Sequence, residues 1–312
     1  MCVVGAGTIG SLYAAHLTRV TDVWVLCRRA EHAAALTEQG LRVTGRSDFT
    51  APVNAVADAA DVPEPDLAIV ATKATELDAA AGRLAGRFPR AAVMTVQNGL
   101  GAEEIVRGHG AWPLISGVTF MSGTRHSDTH VEYVLDTETW LGPHGDTPPA
   151  LAEEIAALLV SAGLKARAFA DLRPAQWSKL IFNATVNGVA ALTGLPHDSH
   201  FAEGELGELV HGLVEEGKAV AAAAGIPLHD DPWEMNVLAT QRGSAHRPSM
   251  LEDVESGRPT EVELINGALV REGERLGVST PLHEALYALV KAREASSSYR
   301  NAVQTGSTRE ED

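Results

Sequence analysis

The sequence predicts an α/β domain followed by an all-α domain. Two observations lead to this fold class. In the first half of the 312 residues, short aliphatic runs alternate with helical patterns, as in sheets built from strand–helix–strand units. Beyond Asp171-Leu172-Arg173-Pro174 the strand-like runs stop, and apolar residues recur with a 3.6-residue period in long segments. We therefore place one domain at residues 1–170, a second at 171–296, and a polar tail, expected to be disordered, at 297–312.

The composition is that of an ordinary soluble globular protein, with 45% hydrophobic and 21% charged residues. A formal net charge of −16 argues against nucleic acid and anionic membrane surfaces as partners. No run approaches 18 apolar residues and no charged leader opens the chain, so we expect a cytoplasmic protein without a membrane segment. Cys2 and Cys27 are expected in early strands of one sheet, as buried reduced thiols rather than a disulfide or a metal site.

The chain opens on a glycine-rich loop between a strand and a helix. Residues 1–4 form an apolar strand, and Gly5-Ala6-Gly7-Thr8-Ile9-Gly10 leads directly into an apolar helical run. In this context Gly5 permits the tight turn, Gly7 lets a pyrophosphate approach the backbone, and Gly10 lets the helix pack closely on the strand. The helix start supplies free N–H groups and the positive end of a dipole. Residues 5–10 therefore predict a dinucleotide-binding fingerprint of the Rossmann type.

The second strand, at 23–27, predicts which dinucleotide binds. It ends in Arg28-Arg29, where a fold that prefers NAD usually carries an acidic residue that accepts from the ribose 2′-hydroxyl. Guanidinium groups suit the 2′-phosphate of NADP instead. We therefore expect NADPH/NADP+ as the cofactor. The alternative is a pair of solvated arginines at a helix start.

Two more strands end in polar residues at the same predicted edge. The buried runs at 66–72 and 92–96 are followed by Lys73 and by Gln97-Asn98-Gly99. Ligands of open α/β sheets bind beyond the carboxyl ends of the strands, so Lys73 and Asn98 are expected beside the cofactor. Strands at 114–119, 131–134 and 139–142 should complete the sheet, before a helix at 150–162 and a short strand at 166–169.

The second half is predicted to be helical at 175–193, 204–224, 231–242, 260–276 and 281–295. In the first of these helices Lys179, Asn183 and Asn187 stand four residues apart and share one face. An ammonium and two carboxamides on a largely apolar helix are costly to bury without polar partners. A substrate with a carbonyl and a hydroxyl would provide such partners. The alternative is a solvated polar stripe. For Glu261 the alternative is an acid in the first turn of a helix that starts near Thr260.

Taken together, the motifs resemble one family, the ketopantoate reductases (2-dehydropantoate 2-reductases), over roughly residues 2–295. The resemblance implies a Rossmann domain, a helical second domain like that of 6-phosphogluconate dehydrogenase, and an active site in the cleft between them. It also implies NADPH-dependent reduction of 2-dehydropantoate to pantoate on the route to pantothenate and coenzyme A. The motifs that carry it, besides the fingerprint, are Lys73, Gln97-Asn98-Gly99, Trp177-Ser178-Lys179-Leu180 with Asn183 and Asn187, Ser249-Met250-Leu251-Glu252-Asp253, Gly257-Arg258-Pro259-Thr260-Glu261 and Ile265-Asn266-Gly267.

The resemblance also assigns roles to single positions. Lys179 matches the catalytic lysine, acting as general acid, and Glu261 matches its partner acid. The substrate-binding positions are matched by Asn183, Asn187, Ser249 and Asn98. The cofactor-binding positions are matched by Gly5, Ala6, Gly7, Thr8, Ile9, Gly10, Arg28, which would contact the 2′-phosphate, and Lys73 and Asn98, which would lie beside the nicotinamide. Asp253 matches an acid with a structural role.

Two other functions stay open. A related enzyme acting on a different 2-keto acid would use the same catalytic set, and Phe120, Met121, His126 and Trp233 are residues that would reshape a substrate pocket. A cofactor-binding sensor without catalysis is disfavoured, because such a protein has no reason to keep a costly buried charge pair. The expected partner is a small 2-keto acid, and the chain is expected to be a monomer or a homodimer.

Overall fold

A computed structural model of the protein describes residues 1–241 and 247–307, with side chains as far as residue 296. The chain divides into two compact units. Unit 1 comprises Met1–Gln97 and Ala102–Leu172. Unit 2 comprises Asn98–Gly101 and the chain from Arg173 onward. The short segment 98–101 therefore lies in the first half of the sequence but belongs structurally to unit 2.

Unit 1 is built on a mainly parallel sheet. Its strands are β1 (Cys2–Val4), β2 (Trp24–Leu26), β5 (Asn54–Val56), β6 (Leu67–Val70), β7 (Ala92–Thr95), β8 (Leu114–Thr119), β11 (Thr139–His144) and β12 (Ala166–Ala168). Their spatial order is β12-β11-β8-β7-β6-β1-β2-β5. Neighbouring strands run parallel except for β8 and β11, which are antiparallel to each other. Its helices are α1 (Thr8–Leu17), α2 (Ala30–Gln39), α3 (Leu77–Leu84), α4 (Ala102–Arg107) and α5 (Pro149–Ser161).

The apolar runs of the sequence become the centre of this sheet. Every residue of β1, β6 and β7 is buried, as expected for strands covered on both faces. The chain leaves β1 to one side through β2 and returns to its other side as β6. That reversal of strand order is the point where doubly wound sheets bind their ligands. The predicted α/β class of the first half is confirmed.

A second sheet in unit 1 was not expected from the sequence. It has the order β4-β3-β10-β9, from β3 (Leu41–Gly45), β4 (Phe49–Ala51), β9 (Ser122–Ser127) and β10 (His130–Leu135). The strand predicted at 131–134 is thus real, but it pairs with β3 and β9 and does not complete the main sheet. Its alternating burial, with Val131 and Tyr133 inside, suits a sheet with one covered face. The other three strands are short or polar, which is why the sequence pattern did not reveal them.

Unit 2 is helical, as predicted. Its helices are α6 (Arg173–Thr193), α7 (Gly204–Ala223), α8 (Pro232–Thr240), α9 (Ser249–Glu255), α10 (Asn266–Leu276) and α11 (Pro281–Ser307). Helix α6 is the centre, since α7, α8, α9, α10 and α11 all pack against it. Small residues allow close approach: a Cβ added at Gly217 of α7 would come within 2.7 Å of Ile181 on α6.

One helix and two helix boundaries in unit 2 differ from the prediction. Helix α9 was missed, because it is only seven residues long and follows Pro248. Helix α10 begins at Asn266, whereas the sequence predicted a start near Thr260. Helix α11 continues to Ser307, through much of the segment expected to be a disordered tail, because no proline or glycine stands between Leu282 and Thr305. The remainder of that tail, 308–312, lies outside the described residues.

Cys2 and Cys27 are free, buried thiols, as predicted. None of the helices within the described ranges combines the length and the apolar character needed to cross a membrane.

Candidate active site

The glycine fingerprint forms a tight turn between β1 and α1. Gly5 has φ +97°, a conformation that L side chains rarely adopt, and its N–H donates to Leu26 O at 3.0 Å. A Cβ at Gly10 would lie 2.0 Å from Gly5 O, so only glycine lets the first turn of α1 come this close to the loop. The geometry matches the roles that the sequence analysis gave to Gly5 and Gly10.

Gly7 and the start of α1 have the features of a phosphate site. Within the described part of the chain, a Cβ at Gly7 would meet nothing within 4 Å, so the backbone here is open to a ligand. Gly7 is also the residue preceding α1, and no described side chain caps that helix. Backbone N–H groups at an uncapped helix start attract anions. The residues present therefore fit the pyrophosphate of a dinucleotide.

The two arginines after β2 have different surroundings. Arg29 donates to both carboxylate oxygens of Asp128, at 2.8 and 2.7 Å, and thereby ties the start of α2 to the turn between β9 and β10. Arg28 is more exposed, with 74% of its side chain accessible, and it forms an ion pair with Glu76. Of the two guanidiniums, Arg28 is therefore the one available to a cofactor.

Polar residues after β6 and β7 occupy the same edge of the sheet. The Gln97 side chain donates to the carbonyls of Val70 and Thr72, each at 2.9 Å, and so bridges the ends of the two strands. Lys73 is exposed and directly precedes a short 3₁₀ helix, Ala74–Glu76. The parallel register of β6, β1 and β2 brings Lys73, the fingerprint and Arg28 to one edge, as the sequence predicted.

In unit 2, α6 carries the predicted polar stripe. Asn183 and Asn187 are buried, with 8% and 6% of their surface exposed, and Lys179 is half-buried. The neighbouring Ser178 hydroxyl accepts from the N–H groups of His229 and Asp230, both at 3.1 Å, and lies 2.8 Å from Asp230 O. These bonds fix the turn of α6 that holds Lys179. Both asparagines of the stripe are enclosed by protein, which argues against the alternative of a solvated face.

Asn98 joins this stripe to Glu261. Its Nδ2 donates to Glu261 Oε2 at 3.1 Å, and its Oδ1 accepts from Asn183 Nδ2 at 3.5 Å. The backbone next to it is held by Leu100 N–H donating to Leu264 O at 2.8 Å. Gly99, with φ +99°, permits this approach, because a Cβ there would lie 1.9 Å from Leu264 O. Residues far apart in the sequence thus meet in one cluster: Asn98, Lys179, Asn183 and Glu261.

Glu261 lies in a turn rather than in a helix. Residues 261–265 form a bend and turn before α10 begins, so the alternative of an acid in the first helical turn is wrong. Thr260 shapes this turn, since its N–H donates to Glu294 at 2.7 Å and its hydroxyl accepts from Val262 N–H at 3.2 Å. Glu261 is only 7% exposed. A buried carboxylate outside regular structure, hydrogen-bonded to Asn98, is placed to interact with a second charged group.

Lys179 is that group. Burial lowers the pKa of Lys179 from 10.5 to about 8, and the negative charge of Glu261 opposes the shift. The lowered pKa follows from the cost of keeping an ammonium in a poorly solvated place. An amine with a pKa near 8 is protonated at neutral pH and gives up its proton more readily than an ordinary lysine.

The remaining predicted residues of unit 2 fall on α9 and the loop after it. Ser249 is the first residue of α9, half-buried, and α9 packs on α6. Asp253 is 2% exposed and accepts from Arg258 Nε at 3.0 Å, which agrees with a structural role. Asn266 is fully buried and donates to Ala184 O at 2.7 Å, so the start of α10 is tied to the backbone of α6.

The substrate-pocket candidates are dispersed. Met121 is buried in the core of unit 1, Phe120 packs edge-on against Trp140, and His126 bonds Glu132 at 2.9 Å. In unit 2, Trp233 packs edge-on against His211. The described residues contain no group of three or more His, Cys, Asp or Glu side chains that could hold a metal ion.

One residue of interest was missed from the sequence, namely Glu76, the ionic partner of Arg28. Its signal was present: it stands three residues after Lys73, just beyond the carboxyl end of a buried strand. What the sequence did not show was that the edge brings it to Arg28, which is 48 residues away.

A doubly wound sheet with this fingerprint, joined to a helical unit with a lysine, a glutamate and asparagines in one cluster, defines a class. The class is that of two-domain oxidoreductases that bind a dinucleotide. Residues 1–146 match the family model described as ketopantoate reductase PanE/ApbA, and residues 171–294 match its C-terminal counterpart, ketopantoate reductase PanE/ApbA C terminal. The chain belongs to the ketopantoate reductase family, and it is an oxidoreductase.

Known proteins of similar sequence and structure agree with this assignment. A 2-dehydropantoate 2-reductase of Archaeoglobus fulgidus is 30% identical over 293 residues, covering 94% of this chain and 97% of that protein. The PanE/ApbA family ketopantoate reductase of Ralstonia eutropha JMP134 superposes with a TM-score of 0.87 at 27% identity, over 96% of this chain and 100% of that chain. D-mandelate dehydrogenase in a ternary structure with NADH and anilino(oxo)acetate also gives a TM-score of 0.87, at 26% identity and the same coverage. Similar architecture therefore accompanies more than one substrate.

Proposed function

We propose that the protein reduces 2-dehydropantoate to pantoate with NADPH, in the cytoplasm, as a step towards pantothenate and coenzyme A. The observation that carries the proposal is the half-buried Lys179 with its lowered pKa, in a cluster with Asn183, Asn98 and Glu261. The names of the relatives, among them the 2-dehydropantoate 2-reductase of Archaeoglobus fulgidus, support the choice of substrate.

Most of the proposed cofactor residues lie in unit 1, whereas Asn98 belongs to unit 2. The loop Gly5 to Gly10 binds the pyrophosphate, with Ala6, Thr8 and Ile9 completing the backbone cradle, and Arg28 binds the 2′-phosphate. Lys73 and Asn98 lie beside the nicotinamide. When bound, the reduced nicotinamide supplies the hydride that adds to the ketone carbon.

Lys179 acts as the general acid. Hydride addition leaves negative charge on the ketone oxygen, which the ammonium of Lys179 stabilises and then protonates. Glu261 keeps this ammonium protonated, because its charge raises the pKa that burial has lowered. Asn98 holds the Glu261 carboxylate in place through the 3.1 Å bond. Asn183 orients the lysine or the ketone, and Asn187 and Ser249 bind the distal hydroxyl and the carboxylate of the substrate.

The test is a turnover assay with purified protein. We expect NADPH and 2-dehydropantoate to be consumed together, and Lys179→Met to lower kcat by about 10²–10⁴-fold, the usual contribution of a general acid. Lys218→Met is the control, since Lys218 lies on α7 and pairs with Asp231 at 2.6 Å. A Lys179→Met enzyme with full turnover would remove Lys179 from the mechanism.

A second candidate is the reduction of another 2-keto acid. The observation that favours it is the similarity to D-mandelate dehydrogenase at a TM-score of 0.87. A panel of 2-keto acids in the same assay separates the two: turnover of a different acid, but not of 2-dehydropantoate, would keep the mechanism and change the substrate. Binding of NADPH without turnover of any acid would favour a non-catalytic sensor. Gel filtration with light scattering would distinguish the monomer from the homodimer.

A further inference from the structure

Arg28, the residue predicted to bind the 2′-phosphate, already has an anionic partner. Its Nη1 donates to Glu76 Oε1, and the two side chains are 74% and 44% exposed. The pair bridges the carboxyl ends of β2 and β6, on either side of β1. The guanidinium of Arg28 is therefore already paired with a carboxylate. This pair lies at the edge of the sheet where the adenosine half of a dinucleotide binds.

The position of Glu76 is imposed by the fold. It ends the 3₁₀ helix that follows Lys73, its N–H donates to Lys73 O at 3.0 Å, and it directly precedes α3. The next residue, Leu77, is fully buried and anchors that helix. The backbone of Glu76 thus has little freedom, and its side chain stays within reach of the end of β2.

The other arginines near this edge have different partners. Arg29 is bonded to both oxygens of Asp128. Arg83 donates to Cys27 O at 3.1 Å and to Ala57 O at 2.7 Å, so it ties the backbone that follows β2 to the backbone that follows β5. Both arrangements serve the structure. Arg28 differs because its partner is an exposed acid that a ligand in solution can displace.

We propose that Glu76 is a cofactor-specificity residue that weakens the preference for NADPH over NADH. Its carboxylate competes with the 2′-phosphate for Arg28, and after displacement it remains as a negative charge beside that phosphate. With NADH no such conflict arises, because a carboxylate at this edge is the group that accepts a hydrogen bond from a ribose 2′-hydroxyl. This inference rests on the proposed function, since it assumes a nicotinamide dinucleotide at the fingerprint.

The size of the effect follows from Coulomb's law. Two anionic groups that share one guanidinium are about 6 Å apart, and the phosphate carries between one and two charges. With screening close to that of water and salt, the repulsion amounts to about a three- to tenfold loss of affinity for the phosphorylated ligand. The exposed ion pair itself adds little, since such pairs contribute weakly to stability.

The experiment compares ligands that differ in the 2′-phosphate alone. Calorimetric titration of the full-length protein would give Kd for NADPH and NADH, and for the fragments adenosine 2′,5′-bisphosphate and AMP. We expect Glu76→Gln to tighten NADPH and the bisphosphate about three- to tenfold, with less than about a twofold change for NADH and AMP. Asp78→Asn is the matched control, because Asp78 lies two residues further on, in the first turn of α3, and bonds His109 rather than Arg28.

The outcomes separate this inference from the proposed function. If wild-type protein binds neither NADPH nor NADH, the proposed function is wrong and the role of Glu76 falls with it. If wild-type protein binds NADPH and Arg28→Gln weakens it, but Glu76→Gln leaves the NADPH-to-NADH ratio unchanged, the inference alone is wrong. An equal gain in Glu76→Gln and Asp78→Asn would also contradict it, since that result reports net charge and not competition for Arg28.

Discussion

At the scale of single residues, the proposed chemistry depends on the protonation of Lys179. The side chain is held where its charge is poorly solvated, and its pKa falls to about 8. Glu261, fixed by Asn98, limits that fall. Burial and the charge of Glu261 together place the pKa of Lys179 close to neutral pH, and this pKa can be measured.

We predict that the rate of reduction falls as the pH rises through about 8. Lys179 must be protonated to donate, so kcat/KM should be flat below its pKa of about 8 and should drop about tenfold per pH unit above it. An ordinary lysine, with a pKa of 10.5, would place the fall more than two pH units higher. The measurement is a profile of kcat/KM from pH 6 to 10 in buffers of constant ionic strength. A rate that stays level up to pH 10, with no falling limb near pH 8, would show that burial does not lower the pKa of the donor in the free enzyme.

Removing the charge of Glu261 should move that limb to lower pH. Glu261 raises the pKa of Lys179, so Glu261→Gln, which keeps the shape, lets burial lower the pKa further. We expect reduced activity at pH 8 that recovers in part at pH 6. The same profile checks it, with Glu263→Gln as the control, because Glu263 pairs with Lys291 at 2.9 Å instead. A limb that moves to higher pH would contradict the assigned sign.

At the scale of elements, two loops built on glycine bring the parts of each site together. In unit 1, Gly10 lets α1 approach the fingerprint turn. In unit 2, Gly99 lets segment 98–101 pair with the turn at 261–265, and this contact delivers Asn98 to Glu261. In both places an added Cβ would collide with a backbone carbonyl, which cannot move aside as a side chain does.

We predict that one substitution in the fingerprint lowers stability and that another lowers cofactor affinity. Gly10→Ala puts a Cβ 2.0 Å from Gly5 O, so α1 must shift and unit 1 should lose about 1–3 kcal/mol of stability. Gly7→Ala adds a Cβ that no described residue approaches within 4 Å, at an ordinary φ of −77°. This variant should fold as well as wild type but bind the dinucleotide more weakly. Chemical denaturation and cofactor titration would check both, and a stable Gly10→Ala protein would contradict the packing argument.

At the scale of the whole molecule, the chain forms two units, and one short segment of its first half, residues 98–101, belongs to the second unit. Multidomain proteins often unfold in more than one step, so a single melting temperature would not describe this one. A ligand stabilises the structure to which it binds, by about 2.7 kcal/mol at a concentration of 100 Kd. Cofactor binding can therefore be located by asking which amides it protects.

We predict that NADPH slows hydrogen exchange in peptides that cover the turn and the first part of α1, around Gly5 to Ser11. The reason is that these N–H groups become ligands of the phosphates. Exchange followed by mass spectrometry, with and without cofactor, would show it, and Gly7→Ala protein at the same cofactor concentration serves as the control. If NADPH protects no peptide in this region of the wild-type protein, the dinucleotide binds elsewhere. Equal protection in both proteins would contradict the role given to Gly7.

Much of the fold could be read from patterns that are local in the sequence. The sequence predicted the buried strands β1, β6 and β7, the fingerprint, and the long helices α6 and α7. In the strands and helices, the spacing of apolar residues indicates which residues are buried. The second sheet was not predicted, since its strands are short and partly exposed. The start of α10 was misplaced because Thr260 and the acids after it imitate a helix cap, while the chain forms a turn held by Glu294.

The sequence by itself determined the fold class, the fingerprint and the lysine–asparagine stripe on α6, because spacing along a helix or a strand is enough to place side chains on one face. Only the tertiary structure decided that Asn98 belongs to unit 2 and donates a hydrogen bond to Glu261, which is 163 residues away. The same holds for the ion pair between Glu76 and Arg28. These contacts are long-range, and they depend on backbone approaches at Gly99 and on strand order at the sheet edge. No local sequence pattern shows that the carboxylate of Glu261 lies close to Asn98, or that of Glu76 close to Arg28. The effect of these carboxylates on the charged groups of the site therefore becomes visible only in the folded chain.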